Sequence, residues 1–449
     1  MRSIDLFAGR AQARPRIYTV PHGTPFFAAL AEALLAGRLS VPSGRRPTPL
    51  ELADVTLLLP TRRDIGALQD AFLKTAGNGA LLLPNIKLIS HISDAPHPFG
   101  DAGEGAGMPT DARPAIGKLE RELALTRLVL QWAQAVGHGH SSARTPAQAV
   151  RQAKELARLM DMVEMEDVGL DGLGALVPDD LSAHWGLTLD FLKIVTEHWP
   201  QHLDELGKVS PAGWRKRLML TEAERLSRSP PAQPTIVAGV TGTVPAATVL
   251  MRAVLALKQG ALILPALDQT LDDESWNAIS PAHPEHPQFG LKKLLDALGV
   301  ERKDVGLLPG LAPASRHRAR AAFVSEAMRP AGTTERWHGF LAGAQRRDLA
   351  EALAGWTILE APSAADEAEA IALILREAAE HPGKTAMVVT PDRALARRVS
   401  VRLKAWALEV PDLSGRPLAA TEIGVFLDLV IAAAAERFRP VALLMLLKH

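Results

Sequence analysis

Two stretches of the chain carry the same short pattern, roughly 330 residues apart. Val55–Arg63 has the sequence VTLLLPTRR, and Ala386–Arg393 has the sequence AMVVTPDR. In both, an apolar run leads into Thr, Pro and Arg, and apolar positions at helical spacing follow. A buried strand that ends in such a turn and starts a helix is half of a βα unit, and these turns lie at the carboxyl edge of a parallel sheet. The repeat therefore favours an α/β fold with two lobes that could share one charged ligand.

Composition limits the possible functions. At roughly 150 residues per domain, 449 residues correspond to two to four domains. Lys+Arg and Asp+Glu both number 50, so a nucleic-acid surface would have to be a local patch. The absence of Cys excludes disulfides, thiol catalysis and iron–sulfur or zinc–thiolate sites within these residues. No run reaches the length of about 18 apolar residues that indicates a membrane span, and the N-terminus lacks an apolar signal core, so we expect a cytoplasmic protein.

The periodicity of apolar residues changes along the chain. An α/β pattern over 1–110 gives way to helical periodicity over 111–230, which indicates a helical insertion, and the α/β pattern returns over 231–310. An arginine-rich helical bridge over 311–353 leads to a second α/β region, 354–449. The apolar run Val441–Leu447 ends abruptly, and we expect it to continue into a longer protein. Within the insertion, Trp185 and Trp199 lie on one predicted helix face, where core packing and base stacking are the two alternatives.

The turn after the first predicted strand is the natural place for a nucleotide phosphate loop. Such a loop needs GxxxxGK[ST], because glycine N–H groups wrap the phosphates while Lys and Ser/Thr hold charge and Mg²⁺. Pro21–Phe27 (PHGTPFF) has one Gly, no Lys and two prolines, and Thr24 with Pro25 suits a helix start. A degenerate phosphate loop at His22, Gly23 and Thr24 remains an alternative. Gly239–Thr243 (GVTGT) could hold an anion or simply cap a helix.

Acidic and histidine clusters give no convincing catalytic or metal site. Four carboxylates lie within Asp268–Glu274, but one segment suits helix capping better than a magnesium-dependent nuclease. His283 and His286 lie among prolines and have no third ligand close in sequence. We therefore predict no catalytic residue and no metal site.

Arginine is the remaining signal. Arg393 and Arg397 form a like-charged i, i+4 pair, which destabilises a helix by a few tenths of a kcal/mol unless an anion lies across it. A solvated surface is the alternative for any one cluster, and further arginines occur at Arg215, Arg217, Arg316, Arg318 and Arg320. Two clusters at predicted sheet edges favour binding to a phosphate backbone. The candidate DNA-binding residues are Thr61, Arg62, Arg63, Thr390, Arg393 and Arg397.

Several motifs, taken in order, resemble the AddB family in its alphaproteobacterial form. AddB is the second subunit of the bacterial AddAB helicase–nuclease. The resemblance covers about Tyr18 to His449 and rests on VTLLLPTRR, LSAHWGLTLDFLKIVTEHWP, AGVTGTVPAAT, ALDQTLDDESW, HPQFGLKKLL and AMVVTPDRALARRV. It implies two RecA-like lobes, related to superfamily 1 helicases, with a helical insertion domain. On this resemblance 1–110 and 231–310 form lobe 1A, and 354–449 begins lobe 2A.

The resemblance also implies a role in double-strand break repair and homologous recombination. In that family an AddA-like motor subunit hydrolyses ATP with Mg²⁺, the heterodimer unwinds and resects DNA ends, and the helicase-like part of AddB contributes to Chi-type recognition. The family's AddB nuclease and iron–sulfur cluster belong to a C-terminal domain that these residues do not include. We expect a non-motor scaffold that binds single-stranded DNA. The alternatives are an ATP-binding domain with a degenerate phosphate loop and a scaffold that only docks proteins.

Overall fold

A computed structural model describes residues 16–39, 44–77, 80–89, 113–136, 145–169, 188, 191–242, 244–343, 346–410, 415 and 417–449. The chain forms two compact units, Met1–Ala354 and Gly355–His449, and each is described by itself. The division lies beside the predicted boundary between 353 and 354.

The first unit is built on a parallel sheet of six strands in the order β3-β2-β4-β5-β1-β6, so the predicted α/β class is confirmed. Every pairing is parallel, and residues such as Leu58 and Val237 of neighbouring strands lie in register. The strands are β1 (Ile17–Val20), β2 (Thr56–Leu59), β3 (Asn85–Leu88), β4 (Thr235–Ala238), β5 (Gly260–Pro265) and β6 (Gly306–Leu307).

Helices pack on both faces of this sheet, and the second unit also contains helices. Those of the first unit are α1 (Phe26–Leu35), α2 (Pro49–Ala53), α3 (Arg62–Ala76), α4 (Lys118–Val136), α5 (Pro146–Met165), α6 (Trp199–Glu205), α7 (Pro211–Arg228), α8 (Pro245–Leu255), α9 (Asp273–Ala278), α10 (Phe289–Leu298), α11 (Ser315–Ala327), α12 (Arg336–Gly343) and α13 (Arg346–Leu353). Those of the second unit are α14 (Ala364–Glu380), α15 (Arg393–Ala405), α16 (Glu422–Ala435) and α17 (Pro440–Leu447).

Apolar side chains on successive strand residues face opposite sides of the sheet. In β2, Leu58 joins the cluster formed with α7, α8 and α10, while Leu57 and Leu59 join the cluster formed with α1 and α3. Because both faces are covered, the central strands are apolar almost throughout, and all four residues of β4 are buried. Prolines or glycines follow β1, β2 and β4 directly and turn the chain back toward the helices.

The described chain between β3 and β4 is mainly helical, with short connections and an isolated parallel bridge between Ala115 and Val209. α4, α5, α6 and a π-helical turn at Ile194–His198 share an apolar cluster that includes Leu125, Leu156 and Trp199. Trp199 is only 3% exposed, which agrees with core packing rather than base stacking. Trp185 lies outside the described residues. α7 leads back to the sheet, where Met219, Ala223 and Leu226 pack in the same cluster as α8.

The second unit corrects the sequence prediction of a second parallel sheet. Within residues 355–410, 415 and 417–449 the structure contains no strand. The predicted strands at Trp356–Glu360 and around Val388 form no ladder, and Ile358 and Val389 are 90% and 82% exposed. An apolar run becomes a strand only when a neighbouring strand satisfies its N–H and C=O groups. The unit instead holds together where α14 packs on α15 and α16 packs on α17.

None of the described helices is long and apolar enough to cross a membrane.

Candidate nucleic-acid interface

Three strand-to-helix turns of the first unit lie at the carboxyl edge of its sheet, where open α/β sheets bind ligands. They follow β1 (His22–Thr24), β2 (Pro60–Arg63) and β4 (Gly239–Gly242). β2 and β4 are neighbours in the sheet, and only β5 separates β4 from β1, so the three turns lie along one edge.

The turn after β1 contains the residues of the possible degenerate phosphate loop. Gly23 has a φ of +79°, and a Cβ there would lie 3.4 Å from the His317 imidazole of α11. The Thr24 N–H donates to the Pro21 carbonyl at 3.3 Å. Thr24 was predicted to cap α1, but the N-cap is Pro25, which makes no side-chain capping bond. One N–H group of this turn is thus used within the turn, and His317 packs against Gly23, while His22 and Gly23 are exposed.

In the turn after β4, Gly239 packs against its neighbours, whereas Thr241 and Gly242 are exposed. Gly239 has a φ of +77°, and a Cβ there would lie 3.6 Å from the Phe26 ring and 3.7 Å from Pro60. The Thr241 carbonyl oxygen comes so close to α10 that a Cβ at Gly290 would lie 2.4 Å from it. Phe26 therefore packs beside Gly239, while a Cβ at Gly242 would have no atom within 4 Å. Thr243 lies outside the described residues.

The turn after β2 carries two exposed arginines. Thr61 is the N-cap of α3, and its Oγ1 accepts the Asp64 N–H at 3.2 Å. The Asp64 carboxylate accepts the Thr61 N–H at 3.0 Å and the Thr61 hydroxyl at 2.7 Å. This capping box places Arg62 and Arg63 at the first two helical positions with exposed side chains. Thr61 thus orients the turn, and its hydroxyl hydrogen is already donated to Asp64.

The related turn of the second unit also contains Thr and Asp, but here Asp rather than Thr is the N-cap. Here Asp392 is the N-cap of α15, and its carboxylate accepts the Ala394 N–H at 2.7 Å. Thr390 Oγ1 accepts the Asp392 N–H at 3.0 Å. Arg393 and Arg397 are exposed on the first turns of α15. Helix capping therefore accounts for the Thr and Asp of both repeated motifs.

Several other arginines named in the sequence analysis stabilise helices. Arg316 donates to the Ala354 carbonyl at 2.5 Å, and Arg320 donates to the Ala352 carbonyl at 3.0 Å. Both contacts satisfy carbonyls at the carboxyl end of α13, where positive charge is favourable. Arg318 donates to the Pro313 carbonyl at 2.7 Å. These contacts give Arg316, Arg318 and Arg320 structural roles.

The acidic segment after β5 is also structural. Asp272 caps α9, accepting the Ser275 N–H at 3.0 Å, as the capping interpretation predicts. Its partner Arg329, whose side chain is only 4% exposed, donates to it at 2.5 Å and also bonds Glu326. Burial works to raise the pKa of Asp272, but the bonds from Ser275 and Arg329 outweigh it and hold the pKa well below its usual range. Among the described residues no group of His, Asp or Glu is placed to hold a metal.

Sequence reasoning missed Arg329, because its partners Asp272 and Ser275 are far away in the chain and no local pattern connects them. It also missed the covering of Gly23 by His317 for the same reason.

The structure brings Thr61, Arg62 and Arg63 together in one turn, and Thr390, Arg393 and Arg397 in another. Neither a protein-family model nor a curated protein matches the chain.

Proposed function

We propose that this chain is a non-motor, helicase-like scaffold of the AddB type that binds single-stranded DNA in double-strand break repair. The parallel α/β sheet of the first unit is consistent with a RecA-like lobe. In this proposal α4 to α6 form the helical insertion, Gly355–His449 belongs to the second lobe, and an AddA-like subunit supplies ATP hydrolysis. A contribution to Chi-type recognition is part of the same proposal.

The observation that carries the proposal is the contrast between the turns at one sheet edge. Phe26 and His317 pack against Gly239 and Gly23, the glycines of the two turns where a nucleotide phosphate would need N–H groups. The neighbouring turn exposes Arg62 and Arg63 at the N-terminus of α3. Cations at this end of a helix oppose its dipole and cost roughly 0.3–1 kcal/mol each. A phosphate backbone would reverse the sign of that interaction, because it pairs with the arginines and with the helix N-terminus.

The test is equilibrium binding of the whole chain to a fluorescent single strand over a range of salt concentrations. The triple variant R62A/R63A/R393A should bind more weakly, and its affinity should depend less on salt. Equal binding by parent and variant at every salt concentration would refute the assignment. Nucleotide turnover by the purified chain without a motor subunit would instead support the degenerate phosphate loop at His22–Thr24.

A second candidate function, protein docking without DNA binding, is favoured by the apolar surface of the second unit. Large side chains such as Ile358, Met387 and Val389 are mostly exposed there. This candidate predicts a stable complex with a motor subunit and no measurable affinity for single-stranded DNA.

A further inference from the structure

One tryptophan of the first unit has an exposed indole ring. Among the described tryptophans of this unit, Trp199 and Trp276 are buried, and Trp132 and Trp214 are partly buried. Trp337 of α12, by contrast, is 42% exposed. An exposed ring face gains free energy when another flat apolar group covers it. The Trp337 ring is therefore accessible to a ligand, whereas the rings of Trp199 and Trp276 are not.

The Trp337 indole is held in a fixed position although it is exposed. Its Nε1–H donates to the Glu326 carbonyl of α11 at 2.8 Å, and its backbone N–H donates to the Thr334 carbonyl at 3.0 Å. The preceding residue, Arg336, forms an ion pair with Glu274 of α9. An aromatic group that is already ordered loses little conformational entropy when a ligand stacks on it. These contacts therefore favour binding of a planar group to the ring.

α11, to which the indole is anchored, contacts the carboxyl edge of the sheet at both ends. Near its start, His317 packs against Gly23 in the turn after β1. Just after its end, the Met328 carbonyl lies 2.9 Å from His286 Nε2, and His286 Nδ1 accepts the Gln288 N–H at 3.1 Å. The Gln288 side chain in turn donates to the carbonyl of the first residue after β5 at 3.0 Å. The anchored indole thus lies beside the edge that also carries the turn after β2.

We propose that the Trp337 ring stacks on an unpaired base of a single strand whose backbone contacts Arg62 and Arg63, an inference that rests on the proposed function. Stacking on an aromatic side chain is open to any base, because every base has a π-face, and it requires a base that is not paired in a duplex. β5 lies two strands from β2, about 10 Å away at about 4.8 Å per strand, so one short stretch of nucleic acid can reach both positions. Trp337 then contacts bases where the arginines contact phosphates, and the site prefers single strands to duplex.

The experiment compares two labelled strands of equal length by fluorescence anisotropy with the whole chain: an oligothymidylate and an abasic phosphodeoxyribose strand. Both carry the same number of phosphates, so the ratio of their affinities measures contacts to bases. Trp337→Leu should lower that ratio at least about fivefold and leave the salt dependence of binding unchanged. Trp337→Phe, which retains an aromatic ring, should keep most of the ratio. Arg62→Ala should instead weaken binding to both strands alike and reduce the salt dependence.

Leu341 provides a matched control, because it is 61% exposed and lies one helical turn after Trp337. Leu341→Ala should leave the affinity ratio unchanged. α12 contributes no buried residue, so the variants should keep the parent's circular dichroism.

Three outcomes would overturn the stacking contact. If both strands bind and Trp337→Leu keeps the parent's ratio, the contact is wrong while the proposed function stands. If Leu341→Ala lowers the ratio as much as Trp337→Leu does, the surface is an apolar docking site for a protein. If the parent binds neither strand, the contact and the proposed function both fail.

Discussion

Replacing Arg62 should change two measured quantities in opposite directions: the free energy of unfolding should rise, and the affinity for single-stranded DNA should fall. It occupies the first helical position of α3, and Lys74 is an exposed cation in the last turn of the same helix. Arg62→Ala and Lys74→Ala remove the same unit of charge from opposite ends of one dipole. Any effect of net charge alone must therefore be equal in the two variants.

Without DNA, Arg62→Ala should raise the free energy of unfolding by about 0.3–1 kcal/mol, because it removes a cation from the positive end of the helix. Lys74→Ala should lower it by a similar amount. With single-stranded DNA, loss of one phosphate contact should reduce the slope of log K against log salt concentration by about 0.7. Between 50 and 200 mM salt, that slope corresponds to about a threefold change in affinity for the one contact.

Urea denaturation at low salt measures the first effect, and fluorescence anisotropy with a labelled oligonucleotide over a salt series measures the second. The expected result is that Arg62→Ala is more stable and binds more weakly, whereas Lys74→Ala is less stable and binds as the parent does. Equal salt slopes for the two variants would refute the placement of the DNA at this sheet edge. A loss of stability in Arg62→Ala would show that the dipole argument is wrong.

Three further predictions test the fold. Phe72→Ala should destabilise the first unit by about 3–5 kcal/mol in chemical denaturation, because Phe72 is fully buried against the sheet; a cost below about 1 kcal/mol would contradict that packing. Gly424→Ala should lower the melting temperature of the second unit, since its Cβ would lie 1.7 Å from the Leu418 carbonyl, while Gly332→Ala, with no atom near its Cβ, should have little effect. The hydrogen bond from Arg45 and the bonds within the Thr48 cap hold the pKa of Glu51 at about 2, so Arg45→Ala should raise it in a carbon-13 NMR titration. Because that pKa is depressed, the stability from the Glu51 contacts is present above the ordinary carboxylate pKa of about 4 and is lost as pH falls toward 2, and an unchanged Glu51 titration in the variant would contradict the contact.

The core strands of the first unit could be predicted because they are buried on both faces. Apolar runs such as TLLL and TIVA have clear ends where Pro or Gly follows. β6 could not be predicted, since it has only two residues and exists because β1 lies beside it. In the second unit the sequence predicts strands that the described residues do not form. Val388 and Val389 have the composition of a strand, but composition does not say whether a neighbouring strand is present.

The candidate site was partly predictable for a similar reason. Arg62 and Arg63 are exposed where the motif VTLLLPTRR indicated, because Thr61 and Asp64 form a capping box that local sequence determines. The packing of His317 against Gly23 could not be predicted, because His317 comes from a distant part of the chain. The roles of Arg316 and Arg320 depend on where α13 ends in space, so sequence alone grouped them with the exposed arginines.

The position of β1 in the sheet has a consequence for synthesis on the ribosome. β1 pairs with β5 and β6 but not with β2, and Thr19 donates to the Leu264 carbonyl 245 residues away. At about 5–20 residues per second, β1 waits roughly 12–50 s for its first neighbour after it has been synthesised. During that interval its apolar side chains and unpaired edges can aggregate. We therefore expect the nascent chain to need a chaperone until β5 has left the exit tunnel, and β1 to be among the last strands to enter the sheet.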